Sequence, residues 1–228
     1  IYYQLLSQIA AQVKTGVNDI DLQRISIAIA RNEAISLPIV RRKALAARQS
    51  WRIEGPYDSS YSLALVNREV ARALQALSHD VALHSTEGPG DFLPNPDFLA
   101  TNPDLAQMSG RSRTLTALDA DVVSRNLYPP RVADMVGRHN YLHAYGWEES
   151  GFPFEWICDF NVSLQGMTVM SNHVRKILID NGLSVPVEVS SLGVDHWERI
   201  EPDTNYLLQT NKSFRFLHVS SCFPRKGA

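Results

Sequence analysis

The 228-residue chain carries 22 Lys and Arg against 24 Asp and Glu, a formal net charge of -2, with 44% hydrophobic and 20% charged residues. This is the composition of an ordinary globular protein, and it provides no general electrostatic attraction to nucleic acid or to an anionic membrane. No apolar run approaches the roughly 20 residues that would span a bilayer, and the two cysteines, Cys158 and Cys222, lie too far apart in sequence to suggest a zinc site or a disulfide framework.

Residues 1–50 read as a helical extension or linker. Tyr2, Leu5, Leu6, Ile9 and Val13 recur at helical spacing. Asp19 or Asp21 suits the cap of a second helix carrying Leu22, Ile25, Ala28 and Ile29. Arg41, Arg42, Lys43 and Arg48 make a third stretch basic, the pattern of a solvated helix face.

The pattern changes at Trp51. Trp51–Glu54 is a strand candidate and Gly55-Pro56-Tyr57-Asp58-Ser59-Ser60 a loop. Ser59, Ser60 or Ser62 is expected to cap the next helix, whose apolar positions are Leu63, Leu65, Val66, Val70, Ala73, Leu74 and Leu77. Asp80–Ser85 is the second strand, which completes a βαβ unit. The glycines and prolines from Gly88 to Pro103 predict a long irregular stretch.

Further strands are expected over 120–125, 140–146, 167–171 and 186–190, with helices around 155–164 and 172–181. Gly182 stands where a helix C-terminal glycine belongs. Strand–helix alternation of this kind predicts an α/β domain, a Rossmann-like doubly wound parallel sheet. There is no Gly-x-Gly-x-x-Gly for a nicotinamide cofactor, no Gly-x-Ser-x-Gly elbow and no Walker lysine loop. No His, Cys and Asp residues fall at zinc-ligand spacing, so no metal is expected.

Read from the residues alone, the sheet's carboxyl edge collects the candidates, because ligands of such sheets bind there. Gly55, Pro56, Tyr57 and Asp58 form the first switch-point loop, where a helix N-terminus offers free N–H groups; an ordinary βα turn reads equally well. Arg125 ends the third strand and suits an anionic group or a structural ion pair. His143 lies in the fourth strand, a place where a core histidine is also common. Glu148 and Glu149 follow it, where one carboxylate of the two can face a cleft and accept a proton. Trp147 and Phe152 can stack on a ligand ring or plug the sheet edge. Ser171 and His173 open the helix after the fifth strand, and capping alone accounts for Ser171.

Three stretches carry a family resemblance. Val169-Met170-Ser171 followed by a helix and Asn181-Gly182, a strand running into Gly193-Val194-Asp195, and Phe216–Val219 with Pro224-Arg225-Lys226-Gly227 occur in that order. Together they resemble the GT-B fold glycosyltransferases of group 1, the retaining family 4, over about residues 51–228. Ser220 and Ser221 stand where that family commonly has glycine and arginine.

The resemblance implies two Rossmann-like domains facing a cleft: an acceptor-binding domain at 51–200, then a linker and the first strand of a truncated nucleotide-sugar-binding domain at 201–228. It implies transfer of a hexose from a nucleotide-diphosphate sugar to a glycan or lipid-linked glycan acceptor, as in bacterial surface polysaccharide synthesis. His143, Glu148 and Glu149 would be catalytic, and Arg225 and Lys226 would hold the donor diphosphate. No cofactor or metal is expected, and the partners would be the two substrates and further domains of the same polypeptide, with no nucleic acid. Such an enzyme is cytoplasmic, with a peripheral place at the inner face of the membrane. The abrupt start at Ile1 and stop after Lys226-Gly227 suggest a piece of a longer polypeptide. Two other readings stay open: a carbohydrate-binding or scaffolding module, which Ser221 favours, and a sugar-nucleotide epimerase of the same architecture.

Overall fold

The computed structural model describes residues 48–88, 90–194, 201 and 213–214. Nearly all of the expected 1–50 extension, the strand at 216–219, and Asp195, Arg225 and Lys226 lie outside the described residues. The elements are β1 (Ser50–Glu54), α1 (Ser62–Ala76), β2 (Asp80–His84), β3 (Thr86–Glu87), β4 (Gly90–Asp91), α2 (Pro96–Thr101), α3 (Pro103–Arg111), β5 (Val122–Arg125), β6 (Asn140–Tyr145), α4 (Phe154–Ser163), β7 (Gly166–Val169), α5 (Asn172–Asp180) and β8 (Val187–Val189).

Six strands form one parallel sheet in the order β2-β1-β5-β6-β7-β8. The chain steps from β1 outward to β2, then crosses back over β1 to β5 and continues the other way. The order therefore reverses between β1 and β5, which makes that junction the switch point of a Rossmann-like α/β fold.

Register shows how the cores are divided. Ile53 pairs with Ser124 and Arg52 with Val123, so Ile53 and Val123 face opposite sides. Ile53 belongs to a cluster with Tyr57, Ala71, Val81, Leu83, Leu105 and Met108, supplied by β1, β2, α1 and α3. Val123 belongs to the other, with Leu142, Met167, Val169, Phe160, Ile157, Val174 and Leu178. Each face of the sheet thus has its own core, and apolar burial at roughly 25 cal/mol per Å² is the main stabilising term on both.

Local chemistry sets the helix ends. Pro96 and Pro103 each occupy the first turn of a helix, where a missing N–H costs nothing. Asn95 Oδ1 caps α2, accepting from Asp97 N at 2.9 Å and Phe98 N at 3.2 Å. The stretch expected to be irregular therefore holds a short antiparallel β3–β4 pair and runs on into two helices, since the prolines start these elements rather than interrupting them. The expected serine cap of α1 is also corrected: the cap position is Tyr61, with no side-chain bond to the helix. Ser171 does cap α5, accepting from Val174 N at 3.3 Å. Gly182, at φ +102°, ends α5 with Leu183 N donating to Leu178 O at 2.9 Å.

One irregularity bears on the site. Ala144 has φ +48°, and the β6–β7 register shifts between Leu142 and Tyr145. This bulge carries Tyr145 into the Leu142 core instead of leaving it beside His143. No described helix is long and apolar enough to cross a membrane.

Candidate functional site

Two buried polar assemblies fill the switch point, one on each face. On the α1 face, Asn67 is buried between Ala64 and Ala71 on the helix's inward stripe. Its Nδ2 donates to Pro56 O at 2.8 Å and to Asn126 O at 2.9 Å. The amide oxygen is thereby left to accept, so His143 Nε2–H donates to Asn67 Oδ1 at 2.8 Å. His143 Nδ1 is then the acceptor, and the Ser124 hydroxyl donates to it at 2.8 Å. Burial lowers the imidazole pKa from 6.5 to about 4, which keeps the ring neutral and this tautomer fixed.

Gly55 completes that junction. It has φ +146°, and a Cβ there would lie 2.4 Å from both Asn126 O and Asn67 Nδ2. Only glycine fits. Pro56 and Tyr57 are buried after it. The Tyr57 hydroxyl donates to Ser109 Oγ at 2.7 Å, and burial pushes its pKa upward. Asp58 Oδ2 accepts from Asn95 N at 2.6 Å, and Arg68 donates to Ser59 O at 2.7 Å while its guanidinium covers Phe98. The loop is braced from α1, α2 and α3.

On the opposite face, Glu54 and Arg125 are register partners at the ends of β1 and β5. Arg125 Nε and Nη2 donate to Glu54 Oε2 at 2.9 and 2.6 Å, and Arg52 Nε donates to Glu54 Oε1 at 2.8 Å. Arg125 Nη1 donates to Asp134 Oδ1 at 2.6 Å. Arg131 continues the chain of ion pairs, donating to Asp134 Oδ2 at 2.9 Å, Thr86 Oγ1 at 2.9 Å and Gly88 O at 2.7 Å. Of the two roles open to Arg125, the structure gives it the ion pair.

The remaining candidates stand further along the same edge. Trp147 Nε1 donates to Gly151 O at 2.8 Å, and its ring packs on Phe152 and Trp156. Trp147 and Phe152 thus plug the edge rather than offering an open stacking face. Glu148 and Glu149 are exposed on the loop after β6, and His173 is exposed in the first turn of α5. The structure joins His143 to the Gly55–Pro56 turn through Asn67.

Sequence reasoning missed Asn67, Ser124 and Glu54. A signal existed for Asn67, an amide placed among the small apolar residues of a helix stripe; none existed for the register that pairs Glu54 with Arg125. A further feature marks the edge. Among the described residues, five buried side-chain atoms have no partner: Trp51 Nε1, near the start of β1, and Ser59 Oγ, Ser85 Oγ, Asn126 Nδ2 and Tyr145 OH, which lie at or just beyond the carboxyl ends of β1, β2, β5 and β6. Orphaned polar atoms are rare in folded proteins and ask for a reason. Among the described residues, no group of three His, Cys, Asp or Glu side chains converges on one metal position. The chain matches no protein-family model and no curated protein.

Proposed function

We propose that residues 51–200 are the acceptor-binding half of a retaining GT-B glycosyltransferase, which transfers a sugar from a nucleotide-diphosphate sugar to a glycan or lipid-linked glycan. The observation that carries this reading is the reversal of strand order between β1 and β5 in a Rossmann-like parallel sheet, because ligands of such sheets bind at the carboxyl edge beside it. Glu148 and Glu149, exposed on the loop after β6, are the carboxylates able to meet an acceptor hydroxyl. His143 leaves the catalytic set and becomes a positioning residue, because both ring nitrogens are occupied within the fold. Arg225 and Lys226 would contact the donor diphosphate, as the resemblance implies, with no metal needed.

The test is nucleotide release from a panel of nucleotide sugars by the polypeptide that carries this chain. Release of one nucleotide from one sugar supports the transferase and fixes the donor. Glu148→Gln with Glu149→Gln is then expected to lower turnover about 100-fold or more, and near-normal turnover would remove both residues from the chemistry. A second reading, a carbohydrate-binding module without catalysis, draws on the enclosure of His143. Silence across the panel from a folded protein would favour it.

A further inference from the structure

A cleft of about 570 Å³ opens at the end of edge strand β2, between the segment that leaves β4 and helix α3. Its volume lies within the roughly 300–1,000 Å³ of small-molecule sites, and apart from Tyr57 its lining residues were not among the sequence candidates. Phe92, Pro94 and Leu99 supply apolar lining, and Phe92 N donates to Ser85 O at 3.3 Å, which sets that residue beside the polar groups at the end of β2. His84 Nε2 lies 3.0 Å from Asp91 Oδ1, a carboxylate that is 65% exposed and so open to a ligand. Ser85 is also on the wall, 6% exposed, and its hydroxyl is one of the unpartnered atoms.

An apolar lining beside a carboxylate, an imidazole and an unused hydroxyl matches the mixed chemistry of a pyranose. The C–H face of such a ring lies on an aromatic side chain, while its hydroxyls donate to a carboxylate and accept from other donors. The charges argue against a nucleoside diphosphate. Among the described lining residues Arg113 is the one guanidinium, and Asp91 places a negative charge within the cleft.

We propose that this cleft binds a neutral sugar at the end of a glycan, with Phe92 beneath the ring and Asp91, His84 and Ser85 reading its hydroxyls. The choice of a sugar rests on the glycosyltransferase reading above; the cleft and its hydrogen-bonding groups do not.

Saturation-transfer NMR on the full 228-residue chain tests this, with methyl glycosides of glucose, galactose, mannose and N-acetylglucosamine as probes and uridine diphosphate as the contrasting ligand. At least one glycoside is expected to bind. Phe92→Ala and Asp91→Asn are each expected to weaken it about tenfold, with melting temperatures near that of the parent because Phe92 is half-buried and Asp91 exposed. No glycoside binding to the folded parent, binding that survives both substitutions, or binding of uridine diphosphate alone would overturn the proposal. The two readings fail separately. Cleft-dependent glycoside binding by a protein that releases no nucleotide keeps the cleft and removes the transferase. Nucleotide release without any glycoside binding does the reverse.

Discussion

His143 shows how one buried side chain sets the acid response of the molecule. Its folded pKa is about 4 and its ordinary value 6.5. As pH falls, the unfolded chain binds the proton first, so folding stability is lost through the window from about 6.5 down to about 4 and levels off below it. At about 1.4 kcal/mol per pH unit the full effect is about 3 kcal/mol. Asp104, held below the usual carboxylate range by its hydrogen bond from Arg72, contributes stability that is present above the ordinary aspartate value and lost only as pH falls through its lower folded value. The two windows are therefore separable. Urea unfolding of the parent between pH 7 and 4 is expected to show the His143 slope, and His143→Gln is expected to flatten it; an equal slope in the variant would reassign the effect. Gly55 is the second decisive residue. Gly55→Ala meets both a strained φ and two contacts at 2.4 Å, to a backbone carbonyl and to an amide that is itself doubly bonded. A loss of about 3 kcal/mol or more is expected by the same measurement, and a loss under about 1 kcal/mol would show that the turn can shift.

At the scale of elements, the Glu54–Arg125 pair fastens β1 to β5 where the sheet reverses, and neither group is open to water. Arg125→Met removes the bidentate partner and leaves Glu54 with Arg52 alone. A cost of about 3–5 kcal/mol is expected, and Glu54→Gln added to Arg125→Met should lower stability further, since it leaves the buried Arg52 guanidinium without its carboxylate. If the double variant were as stable as the single, the Arg52–Glu54 pair would contribute nothing and the loss would lie in packing instead. Strands and helices of the sheet were largely legible from sequence, because apolar runs such as Val122-Val123 and helical stripes such as Val174, Ile177 and Leu178 state their periods directly. Helices α2 and α3 were not, since Pro96 and Pro103 read as breakers until their place at first turns is known. The Ala144 bulge was also hidden. Alternation alone puts Tyr145 on the side of Tyr141 and His143, and only the register shift moves it into the opposite core. Site residues were legible as positions along one edge, while their partners depended on strand register, which no single sequence displays.

Across the described part of the molecule, two cores lie on opposite faces of one sheet, and the polar locks sit where those halves meet. The Ser124–His143–Asn67 chain ties β5 and β6 to α1, while the Arg52–Glu54–Arg125–Asp134 chain ties β1 to β5 and to the loop beyond it. Apolar burial alone would let each core hold its own strands, β1 and β2 with α1 and α3 on one side and β5 to β8 with α4 and α5 on the other. Cooperative unfolding of the whole then depends on the ladder between β1 and β5 and on these two chains. Native-state hydrogen exchange can read this directly. In the parent, the amides of the β1–β2 ladder and of the β6–β7 ladder should open with the same free energy, that of global unfolding. In a chain carrying both Arg125→Met and His143→Leu, the β1–β2 amides should open about 2 kcal/mol more easily than the β6–β7 amides, because their smaller core loses its attachments while the larger one keeps its packing. Equal opening of both ladders in that variant would show that the backbone pairing of β1 with β5 is sufficient to unite the halves. The polar chains would then serve the geometry of the carboxyl edge rather than the cooperativity of the fold.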